Sequence, residues 1–159
     1  MKRNAVIGVL IGFVIGVLTG GALIWTAAPG MMMMESQSTL GFDDTVQAIQ
    51  DNATAQDWVV PNVLRLDKSL AKHGHDVPPV AVIELCSPDL SVKILAEDDA
   101  RMVSSLMPCR VAVYEKSNGD VILSRMNTAL MSKMFGGLVT EVMSEATAQT
   151  EQIFAPLES

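Results

Sequence analysis

Three rhythms of apolar and polar residues divide this chain. Residues 5–28 carry no charge at all. At 1.5 Å per residue they would form about 36 Å of helix, enough to cross a hydrocarbon core of about 30 Å with some tilt. After this run the pattern alternates between helical spacing and the two-residue period of strands. Phe42, Val46 and Ile49 recur as one helix face behind the cap candidates Ser38 and Thr39, giving a helix to about Ala55. Trp58-Val59-Val60 and Val63-Leu64 read as a strand that Pro61 forces into a bulge or an edge. A short helix over 67–72 stops at Gly74, and Pro78-Pro79 blocks its continuation.

The second half is patterned more sharply. Residues 80–86, rich in branched side chains, predict a strand, and Ser87-Pro88 opens a helix with Leu90, Ile94 and Leu95 on one face. Residues 110–116 and 120–126 alternate as two strands of a hairpin, joined through Asn118-Gly119. Asn127 or Thr128 caps a last helical stretch to about Phe154, loosened at Gly136-Gly137. Counting a strand at Met31–Met34, the order is β-α-β-α-β-α-β-β-α. Helices between strands together with a hairpin predict an α+β fold, a two-layer sandwich of a mixed sheet with helices on one face, preceded by one transmembrane helix.

Charge sets the orientation. Of the 11 Lys and Arg residues, Lys2 and Arg3 precede the uncharged run and the next is Arg65, so the positive-inside asymmetry places residues 1–4 in the cytoplasm. Residues 5–28 become a single-pass signal anchor in the inner membrane, and residues 29–159 a soluble domain on the non-cytoplasmic, periplasmic side. The competing expectation is a cleaved signal peptide. Its best small-residue site, Thr26-Ala27-Ala28, is followed by Pro29, Gly20-Gly21-Ala22 comes early, and no cysteine is nearby for a lipid anchor. Within the run, Gly8, Gly12, Gly16 and Gly20 repeat every four residues, a glycine zipper that lets two helices approach closely.

The 49% apolar content is concentrated before residue 35, and the net charge of -7 arises from the residues after that stretch, because Lys2 and Arg3 add only positive charge ahead of it. The remaining basic residues are scattered singly, which argues against nucleic acid as a partner. Met31 to Met34 invite a copper reading, since thioethers suit Cu(I). Consecutive strand residues point to opposite faces, however, so packing or an interfacial patch explains them better.

The residues from Val82 to Pro88, from Leu106 to Glu115, and Asn127 resemble the domain of unknown function 302 family over roughly 31–154. Its Cys-x-Pro after one strand is matched by Cys86-Ser87-Pro88, and its Pro-Cys before a Val-Tyr-Glu strand by Pro108-Cys109 and Val113-Tyr114-Glu115. The resemblance implies a small α+β sandwich that pairs as a homodimer, with no established activity. Lys72 to Pro79 and Met134 to Gly137 resemble a membrane-anchored or exported subgroup. Cytosolic relatives carrying the same cysteines imply that these are more than a structural disulfide.

Cys86 ends one strand and Cys109 begins another. Their spacing permits a disulfide, two free thiols, or a site. With Met107, His75 and His73 they would make a soft sulfur and nitrogen ligand set for Cu(I), zinc or haem iron. The covalent haem signal Cys-x-x-Cys-His is absent, and His73-Gly74-His75-Asp76 has the composition of a solvated turn. As a redox pair, Cys109 would attack and Cys86 resolve, with Arg110 lowering the pKa of Cys109. Glu84 and Glu115 are candidates for a carboxylate pair or for one solvated face. No serine elbow, phosphate loop or zinc-protease helix is present, so the sequence points away from an enzyme. It points to a membrane-tethered ligand-, metal- or haem-binding module of unknown physiological role, with a thiol redox protein and a structural subunit of a membrane complex as alternatives.

Overall fold

The computed structural model describes residues 2–159, without the side chains of residues 2–6, 9–11 and 29. The chain forms two compact units that divide after Met32. The first is a single helix α1 (Lys2–Met32), which begins before and ends beyond the expected 5–28 and absorbs the first two methionines of the expected first strand. Among the described residues no helix is long and apolar enough to cross a membrane. Ala5, Val6, Val9, Leu10 and Ile11 of the expected span have side chains outside the described set. Gly8, Gly12, Gly16 and Gly20 all lie on α1, and a Cβ added at any of them would meet no atom within 4 Å.

The second unit is an α+β domain. In chain order it holds β1 (Met33–Gln37), α2 (Phe42–Ala55), β2 (Val63–Arg65), α3 (Leu66–Ala71), β3 (Val80–Leu85), α4 (Pro88–Leu95), a 3₁₀ turn (Arg101–Leu106), β4 (Cys109–Glu115), β5 (Val121–Met126), α5 (Thr128–Ser132) and α6 (Gly137–Phe154). Five strands make one sheet in the order β1-β5-β4-β3-β2. The expectation of a mixed sheet is corrected here, because every pairing is antiparallel. Parallel neighbours need a crossover that carries the chain back to the end where the first strand began. The six-residue α3 buries nothing and merely turns β2 back into β3. Between β3 and β4 the chain leaves along α4 and returns through the 3₁₀ turn to the same end of the sheet, where Cys109 registers opposite Leu85.

Local chemistry explains the element boundaries. The Ser87 side chain accepts from the Leu90 amide and Pro88 occupies the first turn of α4, so the helix starts where Cys86 leaves the sheet. Gly119 takes a φ of 87° in the β4–β5 turn, as a tight hairpin requires. Asn127 caps α5 by accepting from Leu130. A glycine pair at positive φ, Gly136 and Gly137, then separates α5 from α6.

One face of the sheet forms the core. Ala81, Ile83 and Leu85 on β3, Val111 and Val113 on β4, and Val121 and Leu123 on β5 alternate inward and are buried. They share one cluster with Ile49 of α2, Ile94 of α4, and Val142, Ala146 and Ile153 of α6. Next in the inward series of β5 comes a charge, Arg125, which is equally buried.

Candidate functional site

The cysteines approach at the end of the sheet where β3 finishes and β4 begins. Cys86 follows β3 and exchanges both backbone hydrogen bonds with Val59, at 2.8 Å each, so a short bridge from the Trp58 segment holds it. Its Sγ lies 3.4 Å from the Ser91 hydroxyl, one turn into α4. Cys109 opens β4 on the inward face, just after Pro108. Both are free thiols. Together with Met107 they line a small cleft of about 30 Å³, closed by Trp58, Leu90 and Met143. A space needs only some 10–15 Å³ to take one water, so the cleft is of ionic size.

Cys109 also forms part of the wall of a second, larger cavity of about 130 Å³. Leu106, Pro108 and Phe154 give it apolar walls, while Arg125, Thr150 and Glu151 give it polar ones. The guanidinium of Arg125 donates through Nε and Nη2 to the two carboxylate oxygens of Glu151, at 2.7 and 2.5 Å, and through Nη1 to Ser36 Oγ at 2.9 Å. Nη2 also lies 2.9 Å from Glu158, and the group stacks 5.1 Å from the centre of the Phe154 ring. Burial alone would push Arg125 down; the hydrogen bond and charge of Glu151, followed by Glu158, reverse this and hold it above its ordinary value.

Burial, followed by the neighbouring Cys86, raises the Cys109 thiol above its ordinary value of 9.0. This is opposite to what the redox expectation needs. Successive strand residues face opposite sides of a sheet, so the side chain beside Cys109 in sequence is not beside it in space. Arg110 instead pairs with Glu84, its cross-strand partner, at 3.2 Å. Because the folded pKa is raised, the thiol's contribution to stability is fully present below pH 9.0 and is lost as the pH climbs through the folded value. Alkylation of Cys109 by iodoacetamide should therefore remain slow at pH 7 to 9 and accelerate only above that range; rapid modification at pH 7 would show an activated thiolate instead.

The other expected ligands are not brought together with the sulfurs. His73 and His75 sit in the turn after α3, where their amides donate to Leu70 O at 2.9 and 3.1 Å. That turn precedes β3, whereas Cys86 follows it. Six residues of strand hold them about 20 Å apart. Glu84 and Glu115 are not a carboxylate pair either, since Glu115 registers opposite Val121. Among the described residues no three of His, Cys, Asp or Glu are placed to hold a metal ion, which leaves the Met107 thioether as the third soft donor beside the two thiols. The Arg125 cluster was not anticipated. Its signal lies in β5 itself, where Val121 and Leu123 predict that the next inward position, Arg125, needs buried partners.

The family model described as domain of unknown function DUF302 matches residues 34–157. This chain belongs to the DUF302 family. The match covers the whole second unit except its first residue and its last two, and so includes both cysteines and, of the Arg125 cluster, all but Glu158. A solved DUF302 structure, the crystal structure of an uncharacterized conserved protein from Bacillus stearothermophilus, superposes with a TM-score of 0.72 at 17% identity, over 80% of this chain and 99% of that one. At that identity the likeness speaks for the shared fold. No curated protein matches the chain.

Proposed function

We propose that this DUF302 protein is a membrane-tethered, soft-metal-binding domain that holds Cu(I) between Cys86, Cys109 and Met107. The supporting observation is that the three sulfurs line one ion-sized cleft while both histidines lie at the far end of β3. Two thiolates and a thioether favour Cu(I), whereas a structural zinc site calls for four sulfur, nitrogen or oxygen ligands in a tetrahedron. Haem is far larger than either space. The redox alternative is weakened by the raised Cys109 thiol, whereas Cu(I) displaces that proton as it binds. Full-length protein titrated anaerobically against a Cu(I) chelator should take up one ion with loss of both titratable thiols. No uptake in competition with a weak chelator would end this reading.

The tether rests on the uncharged stretch 5–28, which lies within one continuous helix, and on Lys2 and Arg3 before it. On this reading the domain faces the periplasmic side of the inner membrane. A reporter enzyme that works only outside the cytoplasm, fused after Ser159, should be active; cytoplasmic activity would reverse the orientation. Pairing into a homodimer is supported by the open glycine series of α1. Gly12→Leu with Gly16→Leu should weaken association in detergent, and unchanged association would remove the glycines from the interface.

A further inference from the structure

On its α6 side the polar wall of the 130 Å³ cavity offers acceptors, while Arg125 and the Ser105 hydroxyl add donors elsewhere. Thr147 and Thr150 both line it, and both hydroxyl protons are committed to their own helix. Thr147 donates to Met143 O at 2.8 Å, and Thr150 to Ala146 O and Thr147 O at 3.0 Å each. Towards the cavity they offer lone pairs. The Glu151 carboxylate adds more acceptor positions than its two bonds to Arg125 use.

Charge follows the same sense. Arg125 is positive, but Glu151 and Glu158 both pair with it, so the cluster carries a net −1. Arg110 also borders the cavity, but its side chain lies on the other face of the sheet, paired with Glu84. An anionic ligand would therefore find no uncompensated cation, despite the two arginines. Apolar lining comes from Leu106, Pro108 and the Phe154 ring, which adjoins the Arg125 guanidinium. A cavity of about 150 Å³ with greasy walls accommodates benzene, so this one takes a single small ring or a short aliphatic chain.

We infer that this cavity is a binding site for a small organic monoamine, its ammonium group directed at Thr147, Thr150 and Glu151 and its apolar body against Leu106, Pro108 and Phe154. The inference is independent of the Cu(I) reading, although Cys109 is a wall of both spaces.

The test uses full-length protein in detergent, stripped of metal, with methyl resonances of Thr147, Thr150 and Met126 as reporters. Benzylamine should shift them saturably, benzoate should not, and toluene should bind more weakly than benzylamine. Thr150→Val keeps the shape of the side chain but removes the acceptor, and should weaken benzylamine about tenfold while leaving toluene unchanged. The absence of a saturable shift with benzylamine would leave the cavity to water and overturn the proposal. Equal binding of benzoate, or a Thr150→Val protein that binds benzylamine as before, would overturn it as well. Because metal is removed beforehand, failure here does not bear on the cysteine cleft, and failure of Cu(I) uptake does not bear on this site.

Discussion

Replacing Cys109 by Ser should abolish tight Cu(I) binding while leaving the fold in place. The substitution removes one of two thiols from an ion-sized cleft, and a hydroxyl is a poor donor for so soft an ion. The loss should exceed the 10- to 100-fold that removal of an outer-shell partner typically costs. Cys86→Ser should behave alike, and Met107→Leu should lose less, since the thioether is the weakest donor of the three. His73→Ala and His75→Ala are the informative controls, because their turn lies at the opposite end of β3 from the cleft. Chelator competition with far-ultraviolet circular dichroism on the same samples separates loss of binding from loss of structure. Retention of Cu(I) by Cys109→Ser, or its loss from the histidine variants, would remove the cleft as the site.

Those controls mark where the sequence misled and where it did not. Cys86, Met107 and Cys109 line one cleft; the sequence sets each at a strand end within two residues of a proline, and a hairpin-rich sheet tends to bring such ends together. His73 and His75 shared only residue type with the sulfurs. Their distance was set by which end of β3 each segment reached, which is a property of topology that spacing along the chain does not carry. Arg110 failed for a simpler reason, the two-residue period of a strand: adjacency to Cys109 in sequence guaranteed the other face of the sheet. The element order was likewise readable from caps, turns and periodicity. Strand direction was not, because the return of the chain through the 3₁₀ turn Arg101–Leu106 has no strong local signature beyond the acidic stretch Glu97 to Asp99 that follows α4.

Arg125→Met should be the most destabilising single change in the second unit outside the apolar core. The side chain is only 8% exposed and holds two carboxylates that are 34% and 24% exposed. Removing the guanidinium leaves Glu151 and Glu158 without their shared cation, and leaves the Ser36 hydroxyl only its bond to Glu158. Breaking a buried pair in this way typically costs about 3–5 kcal/mol. The partial exposure of the carboxylates lets water screen part of this, which favours the lower end, about 3 kcal/mol. For a unit of this size that corresponds to a melting temperature lower by about 10 °C. Arg125→Lys should fall between, since one ammonium cannot reproduce the forked contacts. A loss below about 1 kcal/mol for Arg125→Met, measured by denaturant unfolding, would reduce the cluster to the value of an ordinary surface ion pair.

The same guanidinium has a consequence for how the domain opens. The ends of a folded unit are ordinarily where fraying begins. Here the first strand reaches Arg125 through Ser36, and the last turn reaches it through Glu158, which also bonds Ser36 at 2.5 Å and bridges Ser38 along the backbone. The beginning and the end of the fold are thereby fastened to each other at one point. Neither can peel away without releasing the other, so hydrogen exchange at the edge strand and at the C-terminal turn belongs to a single cooperative opening rather than to two independent loose ends.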